Sequence, residues 1–204
     1  PINDAPIILS IEDQLIDEDS IGVFAFEVSD IDTGTVLTLS AFSDTSSVQV
    51  VADSEEYTVA LTPNQDWHGQ AEIMVIVSDN FLMDTTSFVA TFSPINDAPI
   101  ITPVQDISIE ENEQYILQLE LTDVDTGEVL ALSVSSSVND LAVSANSNDS
   151  TVTLTPAADW YGESEVVVVV SDGELSDTTN FMVTIDPIND SPGLSEILDQ
   201  TMFE

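Results

Sequence analysis

The stretch Pro-Ile-Asn-Asp-Ala-Pro at residues 94–99 divides this sequence into repeats. The same six residues stand at 1–6, and residues 187–192 differ from them only by a Ser in place of the Ala. The spacing is 93 residues both times, and the two repeats are identical at nearly half of their positions without a gap. Prolines that fix the backbone at such intervals indicate tandem domains. We therefore predict one domain at 1–93, a second at 94–186, and the linker and first strand of a third repeat at 187–204.

Short apolar strands follow one another within each repeat. Leu117, Leu119 and Leu121 alternate with polar residues, which predicts a strand with one buried face. The apolar runs 73–77 and 166–170 predict a central strand that is buried on both faces. About seven such strands at intervals of roughly ten residues, with no helical spacing, predict an all-β fold in which each repeat is a β-sandwich.

The charge of the chain excludes several functions. It has 39 Asp and Glu residues, no Lys and no Arg, for a formal net charge of −39. Two carboxylates about 4 Å apart repel by roughly 4 kcal/mol at an effective dielectric near 20, so a compact fold must spread its acids or recruit cations. Without a basic patch we expect no binding to nucleic acid or anionic membranes. We also expect no membrane insertion, because no run is long and apolar enough.

Acidic residues recur at four places in both repeats, each at the end of a predicted strand. In the first repeat these are Glu18, Asp30 with Asp32, Asp66 and Asp79; in the second they are Glu111, Asp123 with Asp125, Asp159 and Asp172. Strand ends gather at the two ends of a sandwich. Strand direction predicts that the Asp-x-Asp pair and the later Asp share one end, and that the Glu and the remaining Asp share the other.

Stacking two such repeats would bring the acids of one against those of the next, around the linker 94–99. Many hard oxygen ligands without nitrogen or sulfur alternatives favour Ca²⁺. The predicted complete site at this joint consists of Glu18, Asp66, Asn96, Asp97, Ala98, Asp123, Asp125 and Asp172, with Ala98 contributing its backbone carbonyl. A predicted upstream half site consists of Asn3, Asp4, Asp30, Asp32 and Asp79, and a downstream one of Glu111, Asp159, Asn189 and Asp190.

The ordered set of motifs resembles cadherin repeats: Glu-Asx, Asp-x-Asp-x-Gly, an acid between the fifth and sixth strands, Ser-Asp, and Asn-Asp-x-Pro at the joint. Pro-Ile-Asn-Asp-Ala-Pro and Asp-Trp-x-Gly are more similar to the bacterial cadherin-like tandem repeats of large secreted adhesins. The resemblance implies Ig-like Greek-key sandwiches, with Ca²⁺ between successive domains that stiffens an extended extracellular or cell-surface protein. It also implies neighbouring repeats as partners, and another cell-surface protein or a polysaccharide as the adhesion ligand.

Two positions depart from the animal cadherins. Those proteins have Asp-Arg-Glu between the fifth and sixth strands, whereas this chain has Asp-Trp-His at 66–68 and Asp-Trp-Tyr at 159–161, without the Glu. The Asp that opens their joint is Pro94 or Pro187 here. Fewer ligands predict one or two ions per joint.

Other interpretations remain open. The Asp-Thr-Gly triplets at 32–34 and 125–127 also mark aspartic proteases, but an Asp stands two residues upstream where proteases usually have an apolar residue, so we expect no enzyme. Trp67 and Trp160 could stack on sugar rings in a calcium-stabilised carbohydrate-binding or cell–cell recognition module. Gly69 and Gly162 instead predict that each Trp plugs its sandwich. A third interpretation is an acidic spacer without specific metal sites.

Overall fold

The structure, a computed structural model, describes residues 2–127 and 129–192. The chain forms two compact units, Pro1–Ile95 and Asn96–Glu204. Most of the predicted third-repeat segment, from position 193 onwards, lies outside the described residues. Both units are all-β where they are described, and no helix there has the length and hydropathy needed to cross a membrane.

The first unit contains nine strands within its described residues, 2–95. They are β1 (Ile7–Ile8), β2 (Gln14–Asp17), β3 (Gly22–Ala25), β4 (Val28–Ser29), β5 (Thr38–Ser43), β6 (Val48–Asp53), β7 (Thr58–Pro63), β8 (Gly69–Ser78) and β9 (Met83–Ser93). One sheet has the order β2-β9-β8-β5, a second has the order β3-β7-β6, and β1 pairs with β4. All of these pairings are antiparallel except β2 with β9, which is parallel.

The second unit repeats this arrangement within its described residues. Its strands are β10 (Ile100–Ile101), β11 (Ile107–Glu110), β12 (Tyr115–Gln118), β13 (Leu121–Thr122), β14 (Ala131–Ser136), β15 (Leu141–Asn146), β16 (Thr151–Pro156), β17 (Gly162–Ser171) and β18 (Ser176–Asp186). The sheets have the orders β11-β18-β17-β14 and β12-β16-β15, with β10 paired to β13. The parallel pairing of β11 with β18 matches that of β2 with β9.

The prediction of two all-β sandwiches is confirmed, and some of the about seven predicted strands of each unit are divided into shorter segments among the described residues. The apolar stretch at 7–11 forms a strand only over Ile7–Ile8, and the chain then joins the other sheet as β2. The stretch at 23–28, which is the counterpart of the predicted strand with Leu117 and Leu119, is interrupted between β3 and β4, where the Phe26 N–H donates to the Tyr57 carbonyl instead of to a ladder partner. Strands that bend and change sheets close the corners of a sandwich, so two predicted strands become four segments.

Each unit has its own core, filled from both sheets. In the first unit Val59 and Leu61 of β7 and Ile73 and Val75 of β8 are fully buried. In the second unit Leu119 is buried with Leu117 and Leu121 packed beside it, as their alternation predicts. The period-2 pattern therefore located the inner face of these strands correctly.

The two Trp side chains pack against these cores, as predicted. The Trp67 ring lies 5.5 Å from that of Phe92, centroid to centroid, and Trp160 packs on the second core. Gly69 and Gly162 have φ values of +150° and +155°. A Cβ at Gly69 would stand 3.0 Å from the Trp67 ring, so both the backbone and the indole require glycine there.

The central strand β8 is buried on one face only. Ile73, Val75 and Val77 point into the core, whereas Met74 is 42% exposed on the opposite face. The prediction of burial on both faces was wrong for Met74, because the outer face of an antiparallel sheet can remain in contact with solvent.

Candidate metal centres

Five predicted residues come together at one end of the first unit: Asn3, Asp4, Asp30, Asp32 and Asp79, here called its near pole. The Asn3 amide donates to Asp79 Oδ2 at 2.7 Å, and the Asp4 N–H donates to Asp32 Oδ2 at 2.8 Å. The Asp32 N–H donates to Asp30 Oδ1 at 2.8 Å. The segment that precedes β1 is thus fastened to the acids that follow β4 and β8.

The near pole of the second unit makes the same bonds with the residues 93 positions later. The Asn96 amide donates to Asp172 Oδ2 at 2.9 Å, and the Asp97 N–H donates to Asp125 Oδ2 at 2.7 Å. The Asp125 N–H donates to Asp123 Oδ1 at 3.0 Å. Two independent copies of one arrangement indicate that the repeated motifs build it, rather than the residues that vary around them.

One carboxylate oxygen in each near pole is buried without a hydrogen-bond partner among the described residues. These atoms are Asp30 Oδ2 and Asp123 Oδ2. A buried unpaired carboxylate oxygen is costly and calls for a compensating group. The chain has no Lys or Arg that could provide one. The donor set therefore fits a hard cation with oxygen ligands.

Backbone N–H groups orient the last acid of each near pole. Asp79 Oδ1 accepts the N–H groups of Phe81 and Leu82 at 2.7 and 2.6 Å. Asp172 Oδ1 accepts those of Glu174 and Leu175 at 2.6 and 2.7 Å. These bonds close the hairpin turn that follows β8 or β17 and leave Oδ2 directed to the Asn side chain.

Hydrogen bonds lower the pKa of both of these carboxyls. For Asp79 the main cause is the Leu82 N–H, followed by the Asn3 amide and the Phe81 N–H. For Asp172 the main cause is the Asn96 amide, followed by the Glu174 and Leu175 N–H groups. Donors that bond to the ionised form stabilise it. Both groups are therefore held as anions, the form that a metal ligand needs.

A buried Glu marks the opposite end of each unit, here called the far pole. Glu18 and Glu111 are each only 3% exposed. Glu18 Oε1 accepts the Ile95 N–H at 2.8 Å, and Glu111 Oε1 accepts the Ile188 N–H at 2.7 Å. Each Glu thus holds the backbone of the linker that leaves its unit.

The far pole of the second unit brings three predicted carboxylates together. Glu111, Asp159 and Asp190 each offer an oxygen, and these atoms lie within 4.8 Å of one another. Asn189 donates its amide to the Asp190 carbonyl at 3.2 Å. Asn112, which was not predicted as a site residue, makes two hydrogen bonds to Asp159. Its side-chain N–H donates to Asp159 Oδ1, and its Oδ1 accepts the Asp159 backbone N–H. Residues of the second unit alone thus bring together the carboxylate oxygens that a hard cation binds.

At the far pole of the first unit, Glu18 has a side-chain neighbour that was not predicted from the sequence. His68 is exposed, and its Nδ1 lies 3.3 Å from Glu18 Oε2. Asp19, also not predicted, accepts the Asp66 N–H at 3.0 Å. Asp66 has a φ of 54° and Asp159 a φ of 55°, so the same left-handed turn presents both acids. The repeated Asp-Trp-x-Gly motif was the signal for this turn.

The predicted joint site draws Glu18 and Asp66 from the first unit and its other six residues from the second. Within the second unit, Asn96, Asp97, Asp123, Asp125 and Asp172 are together, as described above. Ala98 is exposed beside them in sequence. The assembly of both sets into one site stays a prediction.

Four further acids act as backbone clamps. Asp13 accepts the Val89 N–H at 2.8 Å, and Asp106 accepts the Met182 N–H at 2.8 Å. Asp84 accepts the Ile8 N–H at 3.1 Å, and Asp177 accepts the Ile101 N–H at 3.0 Å. They were not selected as site residues from the sequence: Asp13 matches Asp106 and Asp84 matches Asp177 across the 93-residue spacing, but this identity does not reveal the bonding partner. They fasten strand edges and lie outside the proposed metal ligands.

Comparisons with known proteins agree with this architecture. A family model described as a cadherin-like domain matches residues 95–186. No curated protein sequence matches the chain. Mouse cadherin-23 EC22-24 matches 90% of this chain and 65% of its own at 18% identity, with a TM-score of 0.52. Human protocadherin-24 EC1-2 matches 90% of this chain and 100% of its own at 14% identity, with a TM-score of 0.55.

An enzyme is also among the structural matches. An endo-fucoidan hydrolase of glycoside hydrolase family 107 matches 91% of this chain at 19% identity. Its TM-score is 0.38, which is too low to carry an argument about activity. This chain spans 29% of that hydrolase and 65% of the cadherin-23 chain. At these identities the solved structures support the fold alone.

Proposed function

We propose that this chain is a calcium-dependent structural and adhesion module made of tandem extracellular repeats, a proposal supported by the cadherin-like domain model that matches residues 95–186. The role is mechanical and not enzymatic. Ca²⁺ at the joint between repeats stiffens the array, which then presents an adhesive surface elsewhere in the protein. The alternative is a spacer whose acids only keep the chain soluble. A calcium titration distinguishes the two functions.

The observation that carries the proposal is the buried unpaired oxygen in each near pole, at Asp30 and at Asp123. An acidic spacer would keep its carboxylates in water, where they cost nothing. Here each near pole fixes one Asp with an Asn amide and another with a backbone N–H, and leaves a carboxylate oxygen buried. Such preorganisation is useful only if a cation completes it.

Chain connectivity supports one site at the joint. Glu18 holds the N–H of Ile95, and Asp125 holds the N–H of Asp97. Those two amides are two residues apart, which is at most about 7 Å of extended chain. The carboxylates of the two sets are thus tethered to neighbouring positions of one short linker. We propose that Glu18, Asp66, Asn96, Asp97, Ala98, Asp123, Asp125 and Asp172 complete the joint site, with one or two ions.

The proposed mechanism rests on charge. When bound, Ca²⁺ supplies the positive charge that pairs these carboxylates. Without it, like charges at adjoining poles repel, and no Lys or Arg in the chain can compensate. The linker prolines limit the conformations that the joint can adopt, so its closure costs less entropy. The repeats become a stiff rod only when the cation is present.

A calorimetric Ca²⁺ titration of the metal-stripped chain in moderate salt tests the proposal. We expect a saturable transition with one or two tight ions and weaker binding at the half sites. Asp125→Asn should remove the tight transition, whereas the matched variant Asp32→Asn should affect only a weaker one. Glu55→Gln, at an exposed acid away from the poles, is the control and should change neither. Weak, salt-screened heats that Asp125→Asn leaves unchanged would establish the spacer function instead.

A further inference from the structure

The outer face of the first unit carries a groove that is separate from both poles. It has a volume of about 380 Å³ and is lined by residues of β5, β8 and β9 and by Asp44. Phe42 and Met74 form its floor, and they are directly opposed partners in the β5–β8 ladder. Both are exposed, at 54% and 42%. Ligand-binding clefts have volumes from roughly 300 Å³ upward, so the groove is large enough for a side chain and its neighbours.

Two carboxylates stand at one end of this floor. The Glu72 N–H donates to Asp44 Oδ1 at 3.0 Å, which fixes the two residues side by side. The Glu72 carboxylate itself makes no hydrogen bond to any described residue, and both side chains are exposed. Thr85 and Ser87 of β9 line the other side with hydroxyl groups. The groove is therefore apolar at its base and anionic at its end.

The second unit does not build these features at the equivalent positions. Ser135 stands where Phe42 does, and Ser137 stands where Asp44 does. Glu165, the counterpart of Glu72, has its carboxylate engaged by the Asn180 amide at 2.7 Å. The sheet register is the same in both units, so the fold does not require the groove. The side chains that distinguish it, Phe42, Asp44 and Met74, are replaced by Ser, Ser and Val in the second repeat, whereas Ser43, Glu72, Thr85 and Thr86 of its lining recur there.

We propose that this groove binds a basic amphipathic segment of a partner protein, in which Lys or Arg lies next to apolar side chains. The Phe42 ring beside Met74, with two carboxylates at the end of this floor, suits a cation that also contacts an apolar surface. A second copy of this chain does not fit, because a net charge of −39 without Lys or Arg offers no cation and adds repulsion. The inference goes beyond the proposed calcium function and stands without it, since no proposed metal ligand lines the groove.

Nuclear magnetic resonance titration of the ¹⁵N-labelled, calcium-saturated chain tests the inference. The probe is the peptide acetyl-Leu-Arg-Phe-Arg-amide, and the matched control is acetyl-Gly-Arg-Gly-Arg-amide, which has the same charge. At about 150 mM salt, where exposed charges are largely screened beyond about 8 Å, the probe should bind at least tenfold more tightly than the control. Its shifts should concentrate on the backbone amides of residues 42–44, 72–74 and 85–87.

Variants that carry the second unit's residues distinguish binding at the groove from nonspecific attraction of the peptide to an acidic surface. Phe42→Ser with Asp44→Ser should abolish the preference for the probe, and calorimetric calcium binding should stay unchanged. If that pair fails to fold, Met74→Val, again the residue of the second unit, should weaken the preference in a folded chain. Equal affinity for both peptides, or shifts spread over the acids of both units, would overturn the inference. Groove shifts with neutral cellotriose but not with the peptide would also overturn it and identify a carbohydrate site.

Discussion

The near poles and the outer sheet faces of the two units behave in opposite ways. At the near poles both units make the same three hydrogen bonds, and each buries one unpaired carboxylate oxygen. On the outer sheet, Phe42 and Asp44 of the first unit are replaced by Ser135 and Ser137 in the second. Both regions rest on the same strand register. The two repeats therefore share the residues and hydrogen bonds of their near poles, whereas the residues on their outer sheet faces differ.

The largest expected effect is the stabilisation of both units by calcium bound at their near poles. Calcium at 100 times its dissociation constant should raise the free energy of unfolding by about 2.7 kcal/mol per site. Asp123→Asn should remove this gain in the second unit, and Asp30→Asn should remove it in the first. Urea denaturation with and without calcium measures both.

The same two variants should have the opposite sign in metal-free protein. An Asn at either position removes a buried, unpaired charge, so the metal-free variants should be more stable than the parent chain. A loss of stability in the metal-free state would contradict the assignment of Asp30 and Asp123 as cation ligands, because it would mean that the ionised carboxylates already have adequate partners.

The next effect concerns the glycines that face the Trp rings. Gly69→Ala and Gly162→Ala should each cost about 1–3 kcal/mol, because the backbone is held at positive φ and the new Cβ meets the indole. The closest indole atom would lie at 3.0 Å from a Cβ at Gly69 and at 3.2 Å from one at Gly162. Gly34→Ala, at φ +86° with open space around it, is the control for strain alone and should cost less. Thermal unfolding measures all three, and equal losses would show that the indole contact is unimportant.

A subtler difference lies in the titration of the last acid of each near pole. The Asn96 amide is the main cause of the low pKa of Asp172, whereas the Leu82 N–H is the main cause for Asp79. Asn96→Ala should therefore raise the pKa of Asp172 by removing the main cause of its low value, and Asn3→Ala should raise that of Asp79 by removing a secondary cause. Carbon-13 detected titration of the metal-free chain measures both values.

The sign of the linked stability follows from these low pKa values. A carboxyl whose folded pKa is lowered stabilises the fold above its unfolded pKa of about 3.9, and this contribution is lost as the pH falls through the folded value. Asn96→Ala should shift the loss of the Asp172 contribution to higher pH. No shift in that variant would mean that the hydrogen bond from Asn96 is not formed in solution.

The smallest expected effect is the exchange of the residues beside the two buried Glu side chains. His68 lies 3.3 Å from Glu18 Oε2 and is 59% exposed, so the pair should contribute less than about 1 kcal/mol. His68→Tyr, which copies Tyr161 of the second unit, should change the free energy of unfolding by no more than that. The reciprocal Tyr161→His is the matched variant. A larger loss in His68→Tyr alone would identify the pair as a structural element of the first far pole.

Much of the fold could be predicted because the sequence repeats its own pattern. The alternation of Leu117, Leu119 and Leu121 and the prolines at 94 and 99 each depend on local rules for strands and linkers. The division of β3 from β4 and the parallel pairing of β2 were not predictable in this way. They depend on a strand changing its sheet, which is decided by corner packing and not by the period of one segment.

The candidate metal ligands could also be predicted only in part from the sequence. Identity across 93 residues selected the near-pole acids, because their role requires a carboxylate in both units. It could not assign Asp13 or Asp84, whose carboxylates bond to backbone N–H groups on distant strands. Asn112 and His68 were missed for a different reason. They differ between the repeats, so a comparison within the chain gives them no weight.

The relative alignment of the two units in solution is the sharpest test of a joint that calcium makes rigid. Residual dipolar couplings of the whole chain give one alignment tensor for each unit, with saturating calcium and again with a chelator. We expect equal tensors with calcium, unequal tensors without it, and unequal tensors with calcium in Asp125→Asn. Tensors that differ equally in both conditions would contradict a joint that calcium makes rigid.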